Sequence, residues 1–410
     1  MRISTNLIYQ QGVSGMQRQQ TELAKTQRQM SLGTRLLSPS DDPVAAARVL
    51  VIDQASATND QYEVNRGAAR SALGLEESVL TSVGDLLQQV RTTAIYAGNG
   101  TLTNSDRAAL VTELKSHFAA LMGLANATDG TGQYLFSGYQ GATQPFSGAI
   151  GAVQYNGDQG QRLVQAGPSR QLPISDAGSD VFEGMRTGNG AFLAQAGNGT
   201  ADDNTGSGII GPGSVVNAAS LTGHSYAIRF TVSAGVTTYD VVDTTTNTAV
   251  AAPAATGNIY TSGAAIAFDG MQVEIGGAPA NGDEFSITPS RSQSVFKTLS
   301  DLISAIGTPV PASGDTTRLA NAIGVGIKNI DQALDKVSSV RADIGARMQE
   351  LDSLDQLGEN VAVEYAKTKS ELTDLDYAAA ASDLTRQQLI FEAAQKSFAK
   401  IAGMSLFDFF

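Results

Sequence analysis

Met30-Ser31-Leu32-Gly33-Thr34-Arg35-Leu36-Leu37-Ser38-Pro39-Ser40-Asp41-Asp42-Pro43-Val44-Ala45-Ala46-Ala47 carries a helix stop and a helix start within a few residues. Pro39 disfavours helical geometry at Ser38. Asp42 is a strong N-cap and Pro43 a favoured first helical residue. The segment therefore predicts a joint at Pro39, Asp41, Asp42 and Pro43. Upstream, residues 8–36 predict one helix in which Met16, Leu23, Met30 and Leu37 recur every seven residues. The companion positions Gln20, Gln27 and Thr34 are polar, so the apolar stripe is narrow. Heptad spacing asks for a helical partner, and so thin a stripe does not stabilise a helix alone.

The far end of the chain is built alike. Val337, Ile344 and Leu351 form one heptad row, with Val340, Leu354, Val361 and Leu375 beside it and Arg347 as a polar intrusion. After Leu375 the register slips, and Tyr377, Leu384, Phe391 and Phe398 take over beside Ala380, Ala394 and Ile401. A slip of register changes local supercoiling. Two breaks, one near each end, predict a terminal domain made from both ends, 1–42 with 376–410. The expected assembly interface is Met16, Leu23, Met30, Leu37, Tyr377, Leu384, Phe391, Phe398 and Ile401, with Leu375 part of the joint.

Inward, a helix is expected from Pro43 to about residue 93, with a broad apolar face from Leu73 to Val90. Thr103 followed by Asp106 predicts a capped helix carrying Leu110, Leu114, Phe118, Leu121 and Leu124. Helix returns at 294–306 and again from Asp315 onward. Between these flanks the periodicity becomes that of strands. Residues 133–139 and 152–155 predict strands, and Asn156-Gly157 a hairpin turn with 161–165 as the return strand. Residues 226–232 and 237–242 predict a strand pair, and Asp269-Gly270 another hairpin. Residues 175–222 predict no element. The expected fold is mainly α with an inserted β-rich domain: 43–174 with 289–375 as a helical core, and 175–288 as the insertion.

Composition narrows the function classes. Among 410 residues, 27 Lys and Arg face 40 Asp and Glu, for a net charge of −13. Such a chain repels nucleic acid and acidic membrane surfaces. With no Cys, thiolate chemistry is excluded. No signal-peptide core and no stretch of about 20 apolar residues is present, so neither a cleaved leader nor membrane insertion is expected. The two histidines, His117 and His224, have no nucleophile-elbow motif with them. Asp202-Asp203 lies in a Gly- and Asn-rich loop without EF-hand spacing; a solvated loop is expected there, with calcium the other reading. The glycines of 206–213 lack the Lys-Ser/Thr of a phosphate loop. No cofactor, no metal and no catalysis are expected.

The segment from Met30 to Ala47 resembles the N-terminal signature of the bacterial flagellin superfamily, in the form found in its hook–filament junction branch. Four further pieces agree: Met1-Arg2-Ile3-Ser4-Thr5, Tyr134-Leu135-Phe136-Ser137-Gly138-Tyr139, Asp374-Leu375-Asp376-Tyr377-Ala378 and Ser405-Leu406-Phe407-Asp408-Phe409-Phe410. The resemblance covers roughly 1–172 and 288–410 and is thin between. It implies discontinuous nested domains built from both termini, and an extracellular subunit exported through the flagellar type III apparatus. It also implies self-assembly into a short ring-like zone between hook-associated protein 1 and flagellin. An export chaperone would hold the C-terminal helix before secretion. The other readings of the same features are a minor flagellin that polymerises in the filament, and a secreted adhesin or coiled-coil binding module.

Overall fold

The structure, a computed structural model, is described over residues 5–198, 203–311 and 315–403. Six helices are present in it: α1 (Thr5–Leu32), α2 (Pro43–Ala97), α3 (Asn104–Ala125), α4 (Val295–Gly307), α5 (Thr317–Thr373) and α6 (Tyr377–Gly403). The chain forms two compact units, 1–65 with 352–410, and 66–351, so both boundaries fall inside the long helices α2 and α5.

Local chemistry sets the helix ends. α2 starts at Pro43, with Asp42 Oδ1 accepting from the Ala45 amide at 3.0 Å. At α3 the Thr103 hydroxyl accepts from the Asp106 amide (3.2 Å), and Asp106 Oδ2 accepts from the Thr103 amide (2.9 Å). This reciprocal pair is the capping box read from the sequence. Ser294 caps α4 and Asp315 the start of α5. α1 ends earlier than expected, at Leu32 instead of residue 36. Gly33 takes φ +71°, and the amides of Gly33 and Thr34 both donate to the Gln29 carbonyl, at 2.9 and 3.2 Å. Glycine enters this left-handed conformation without the steric cost of a Cβ, which stops the helix there.

The larger unit holds the core. Leu73, Leu80, Leu87 and Val90 of α2 are buried, as are Leu114, Phe118 and Leu121 of α3, Leu299 and Ile306 of α4, and Ile330, Val337 and Ile344 of α5. Aromatic rings from Phe118, Phe136, Phe146, Phe182 and Phe296 join in edge and tilted contacts 5.1–6.2 Å apart. Small two-stranded ribbons lie in the segment after α3: β1 (Phe146–Ser147) with β2 (Gln154–Tyr155), and β3 (Leu163–Gly167) with β4 (Arg170–Pro173).

Residues 133–139 do not form the expected strand, and Asn156-Gly157 is not a hairpin turn. β2 turns back on β1 instead of running on into β3. Side-chain bonds override the local turn signal: Asn156 Nδ2 donates to Ser147 Oγ at 2.8 Å. The Tyr155 hydroxyl reaches the carbonyls of Phe136 and Asp158, at 3.0 and 2.6 Å.

The remaining strands are β5 (Met185–Arg186), β6 (Phe192–Ala196), β7 (Ile209–Ile210), β8 (Ser214–Val215), β9 (Tyr226–Ser233), β10 (Val236–Asp243), β11 (Thr248–Val250), β12 (Asn258–Ile259), β13 (Ala265–Phe268), β14 (Met271–Gly276), β15 (Glu284–Pro289) and β16 (Ser292–Gln293). One sheet runs β11-β10-β9-β15-β6 with β12 also on β10; a second runs β13-β14-β7 with β8 on β14. They enclose Phe192, Tyr226, Ile228, Phe230, Val241, Ile266, Phe268, Val273, Phe285 and Ile287. The β9–β10 and β13–β14 hairpins form as expected, the second turning at Asp269 (φ 43°) and Gly270 (φ 79°). Residues 175–222, without an expected element, hold among the described residues a π-type turn at Ser179–Glu183, four short strands, β5 to β8, and a 3-10 turn at Ala218–Ser220. Strands as short as these leave no period to read. The outcome is a mainly helical chain with a β-rich insertion.

Candidate assembly surface

In the smaller unit α1 packs along α6. Of the described α6 side chains only Ala380, Leu384, Gln387, Phe391, Ala394 and Phe398 are not exposed. They recur at steps of four and three, the spacing of a two-helix seam. On α1 the matching covered set is Gly12, Met16, Gln19, Leu23, Thr26 and Met30. The structure thus brings together Met16, Leu23, Met30, Leu384, Phe391 and Phe398, each half-buried. The Tyr9 and Phe398 rings lie 5.1 Å apart, and the Thr26 hydroxyl donates to Gln387 Oε1 at 3.0 Å. A Cβ added to Gly12 would sit 2.8 Å from the Phe398 ring, so glycine is what lets the ring approach. The polar companions on α1 are Gln19 and Thr26; Gln20 and Gln27, one residue on, are exposed.

Other residues of the expected set sit elsewhere. Leu37 lies beyond the end of α1, half-buried. Tyr377 opens α6 and is 56 % exposed. Ile401 falls in the last turns of α6, and its side chain lies outside the described residues, as do 1–4 and 404–410 of the terminal motifs. Leu7, Tyr9 and Leu32 of α1 and Leu389 and Ile390 of α6 are exposed apolar side chains on this pair.

The two chain breaks meet. Thr34 and Asp374 form an antiparallel bridge; the Arg35 amide donates to the Thr373 carbonyl (2.7 Å) and the Leu375 amide to the Gly33 carbonyl (3.1 Å). The Arg35 guanidinium reaches the Leu372 carbonyl at 3.0 Å. Asp41 ties the N-terminal break together. One carboxylate oxygen accepts from the amides of Leu37 and Ser38, at 3.0 and 2.9 Å, and the other pairs with Lys25 at 2.8 Å. The Lys25 contact and those two amides hold the Asp41 carboxyl down at about 2. Pro39 is exposed at the tip. On the C-terminal side, Asp376 Oδ1 accepts from the amides of Ala378 and Ala379, at 2.9 and 3.0 Å, and so caps α6. Gly33 and Asp376 escape the heptad pattern; the sequence signals for them are a glycine after a helical run and an Asp one residue before it.

In the larger unit α5 grips the chain that leads into the β-rich part. Asn321 accepts from the Ile210 amide and donates to the Gly208 carbonyl, both at 3.0 Å. Asn329 accepts from the Gly188 amide at 2.8 Å. Lys336 pairs with Asp180 at 2.8 Å, Arg347 holds Asp176 through two bonds of 2.9 Å, and Glu350 accepts from Arg170 at 2.7 Å. Arg347, a mere intrusion in the heptad rows, is thus one rung of a polar ladder. Both histidines lie beside carboxylates: His224 Nδ1 is 2.6 Å from Asp243 Oδ2, and His117 Nε2 is 3.5 Å from Glu113. Asp203 is exposed, and Asp202 lies outside the described residues. Among the described residues no helix is long and apolar enough to cross a membrane.

This arrangement has known counterparts. Residues 3–141 match the bacterial flagellin N-terminal helical region and residues 327–410 the bacterial flagellin C-terminal helical region. Residues 200–289 match the D2-like domain of flagellar hook-associated protein 1. Flagellar hook-associated protein 3 of Salmonella typhimurium is 30 % identical over 409 residues, 100 % of this chain and 99 % of that protein. The crystal structure of the flagellar junction protein from Legionella pneumophila is 32 % identical and superposes with a TM-score of 0.72, over 80 % of this chain and all of that one. The corresponding Xanthomonas campestris structure is 34 % identical with a TM-score of 0.69, over 78 % of this chain and 99 % of that one.

Proposed function

The chain belongs to the hook–filament junction proteins of the bacterial flagellin superfamily, and on that footing we propose how its parts divide the work. It is a structural, non-enzymatic subunit of the bacterial flagellum, assembled with hook, filament and flagellin components. Three nested parts are proposed: the terminal helices 1–42 and 376–410, the helical core 43–174 with 289–375, and the outer β-rich part 175–288. The bridge between Thr34 and Asp374 supports a division of the flanks there, and the match of 200–289 to a D2-like domain supports an outer part.

The terminal helices carry assembly. The supporting observation is that the pair covers a stripe from Gly12 to Met30 on α1 and from Ala380 to Phe398 on α6, and leaves Leu7, Leu32, Leu389 and Ile390 exposed. Neighbouring copies cover that remainder in a ring-like zone, with hook-associated protein 1 on one side and flagellin on the other. Before export, a flagellar chaperone shields the apolar face of α6. The test is a Leu384→Ser, Phe391→Ser, Phe398→Ser chain in a strain lacking the natural one. Burying a large apolar side chain contributes about 1.5–3 kcal/mol, and these half-buried ones less each, so three losses exceed what one helix pair absorbs. The mutant chain should be secreted, yet flagellin should appear in the medium as monomer. Normal filaments from this mutant would remove α6 from the interface.

A further inference from the structure

Glu76 on α2 is 1 % exposed and faces the segment that leaves β4 for the β-rich part. One of its carboxylate oxygens accepts from the Asp176 amide at 3.1 Å; the other is buried without a hydrogen-bond partner. The Asp176 side chain, 4 % exposed, stands beside it and is fully engaged: two bonds from Arg347 on α5 and one from Gln161 at 2.7 Å. The charged groups facing this pocket are Asp176 and Arg162 from the segment around β3 and β4, and Arg347 from α5. The next α2 residue, Glu77, has its own partner: one of its oxygens meets Arg341 at 2.7 Å. One guanidinium bonded to Asp176 thus serves two buried carboxyls. An unpaired buried carboxylate is far more costly than a neutral carboxylic acid at the same place.

We propose that a proton on Glu76 is a structural component of this seam, and that its loss in alkaline surroundings loosens the hold of α2 on the segment at Asp176. The three-way joint of α2, α5 and residues 175–183 then forms an alkali-sensitive attachment for the β-rich part. Asp176 and Asp180 still bind α5 through Arg347 and Lys336, so the segment stays tethered on that side. The electrostatics agree in direction. Burial pushes the Glu76 carboxyl up to about 8, with the Asp176 carboxylate adding to the rise and the Asp176 amide, Arg347 and Arg162 opposing it. With a folded-state value above the unfolded one, the folded chain binds the extra proton between the ordinary glutamate range and about pH 8. The Glu76 contribution to stability is therefore greatest below that window, falls as pH rises through it, and levels off above.

The experiment uses the full chain. Thermal midpoints of wild type and Glu76→Gln are measured from pH 5 to pH 9.5, alongside hydrogen exchange of residues 174–183 corrected for intrinsic rate. The wild-type midpoint should fall across the window and Glu76→Gln should stay nearly flat. Exchange at the Asp176 amide should quicken at least several-fold at pH 9 in wild type alone. Parallel melting curves for the two chains would overturn the proposal. Should the variant not fold, the carbon-13 carboxyl resonance of Glu76 in the wild type decides. A titration midpoint near 8 supports the proton, and one in the ordinary glutamate range refutes it.

Discussion

Asp41 shows how much one side chain organises at the N-terminal break. Its carboxylate satisfies the amides of Leu37 and Ser38 just where α1 has ended, and it draws Lys25 back from α1. Amides in a turn between two helices have no intrahelical acceptor, so water or a side chain must satisfy them. With its folded-state pKa depressed to about 2, Asp41 contributes stability that is fully present above the ordinary aspartate range and lost as pH falls through about 2. Acidification from about pH 4 to pH 2 should therefore loosen the 33–42 break. Asp41→Asn should show that looseness already at neutral pH, read as faster exchange at the Leu37 and Ser38 amides. Unchanged exchange in Asp41→Asn would mean that the amides are held by something else. Gly33 makes the complementary point. Its left-handed φ is the reason that α1 stops before Leu37, and heptad counting alone runs straight past it.

Among the elements, α6 depends most on its ends. Its stripe is Leu384, Phe391 and Phe398 interleaved with Ala380, Gln387 and Ala394, so little area is buried per turn. Helices of this length draw most of their stability from packing, and caps matter when packing is thin. Removing a side-chain cap costs roughly 0.5–2 kcal/mol. Asp376→Ala should make proteolytic release of 376–403 easier by about that free energy, while the melting of the larger unit stays put. Equal effects on both would show that the cap acts through the whole chain. The β elements illustrate the opposite case. Asp269-Gly270 forms its hairpin because both residues adopt positive φ and the flanking strands alternate, Ile266 and Phe268 inward and Ala265 and Ala267 outward. Asn156-Gly157 has the same turn chemistry, but Tyr155 and Asn156 spend their polar atoms on distant partners.

At the scale of the larger unit, the two chain ends of the β-rich part lie side by side, and α5 holds it again through Asn321. β5 pairs with β16, the Thr187 amide donates to the Arg291 carbonyl, and the Arg291 amide donates to the Thr187 hydroxyl, both at 3.0 Å. Loop-closure cost rises slowly with length, so an insertion with adjoining ends is separable. Replacing 188–290 by a short Gly/Ser bridge removes the backbone partners of Asn321 and Asn329 and so lowers stability, but it should leave the helical content intact by circular dichroism. A cut begun at residue 175 also removes Asp176 and Asp180 and so strips Arg347 and Lys336 of their partners; it should be destabilising. Loss of helical signal in the 188–290 deletion would mean that the insertion is part of the core. Complementation of a strain lacking the natural chain then shows whether flagellin still seats.

The amino-acid sequence by itself determined the helical flanks, the breaks at Pro39–Pro43 and after Leu375, the heptad stripes and the two outer hairpins. Each is a short-range pattern: a period of seven, a cap, a proline, an Asp-Gly between alternating runs. It also determined the kind of protein, because the motifs at both flanks are local strings. Tertiary structure alone decided that the two breaks bridge each other at Thr34 and Asp374, and that Gln19 and Thr26, not Gln20 and Gln27, line the seam. It also decided that Arg347, Lys336, Asn329 and Asn321 form a ladder on α5, and that Glu76 is buried against Asp176. These are pairings between residues 100 to 361 positions apart, and nothing in either partner's neighbourhood encodes the other. A polar residue in a helix reads the same whether water or a distant backbone amide will satisfy it, and only the folded chain chooses between them.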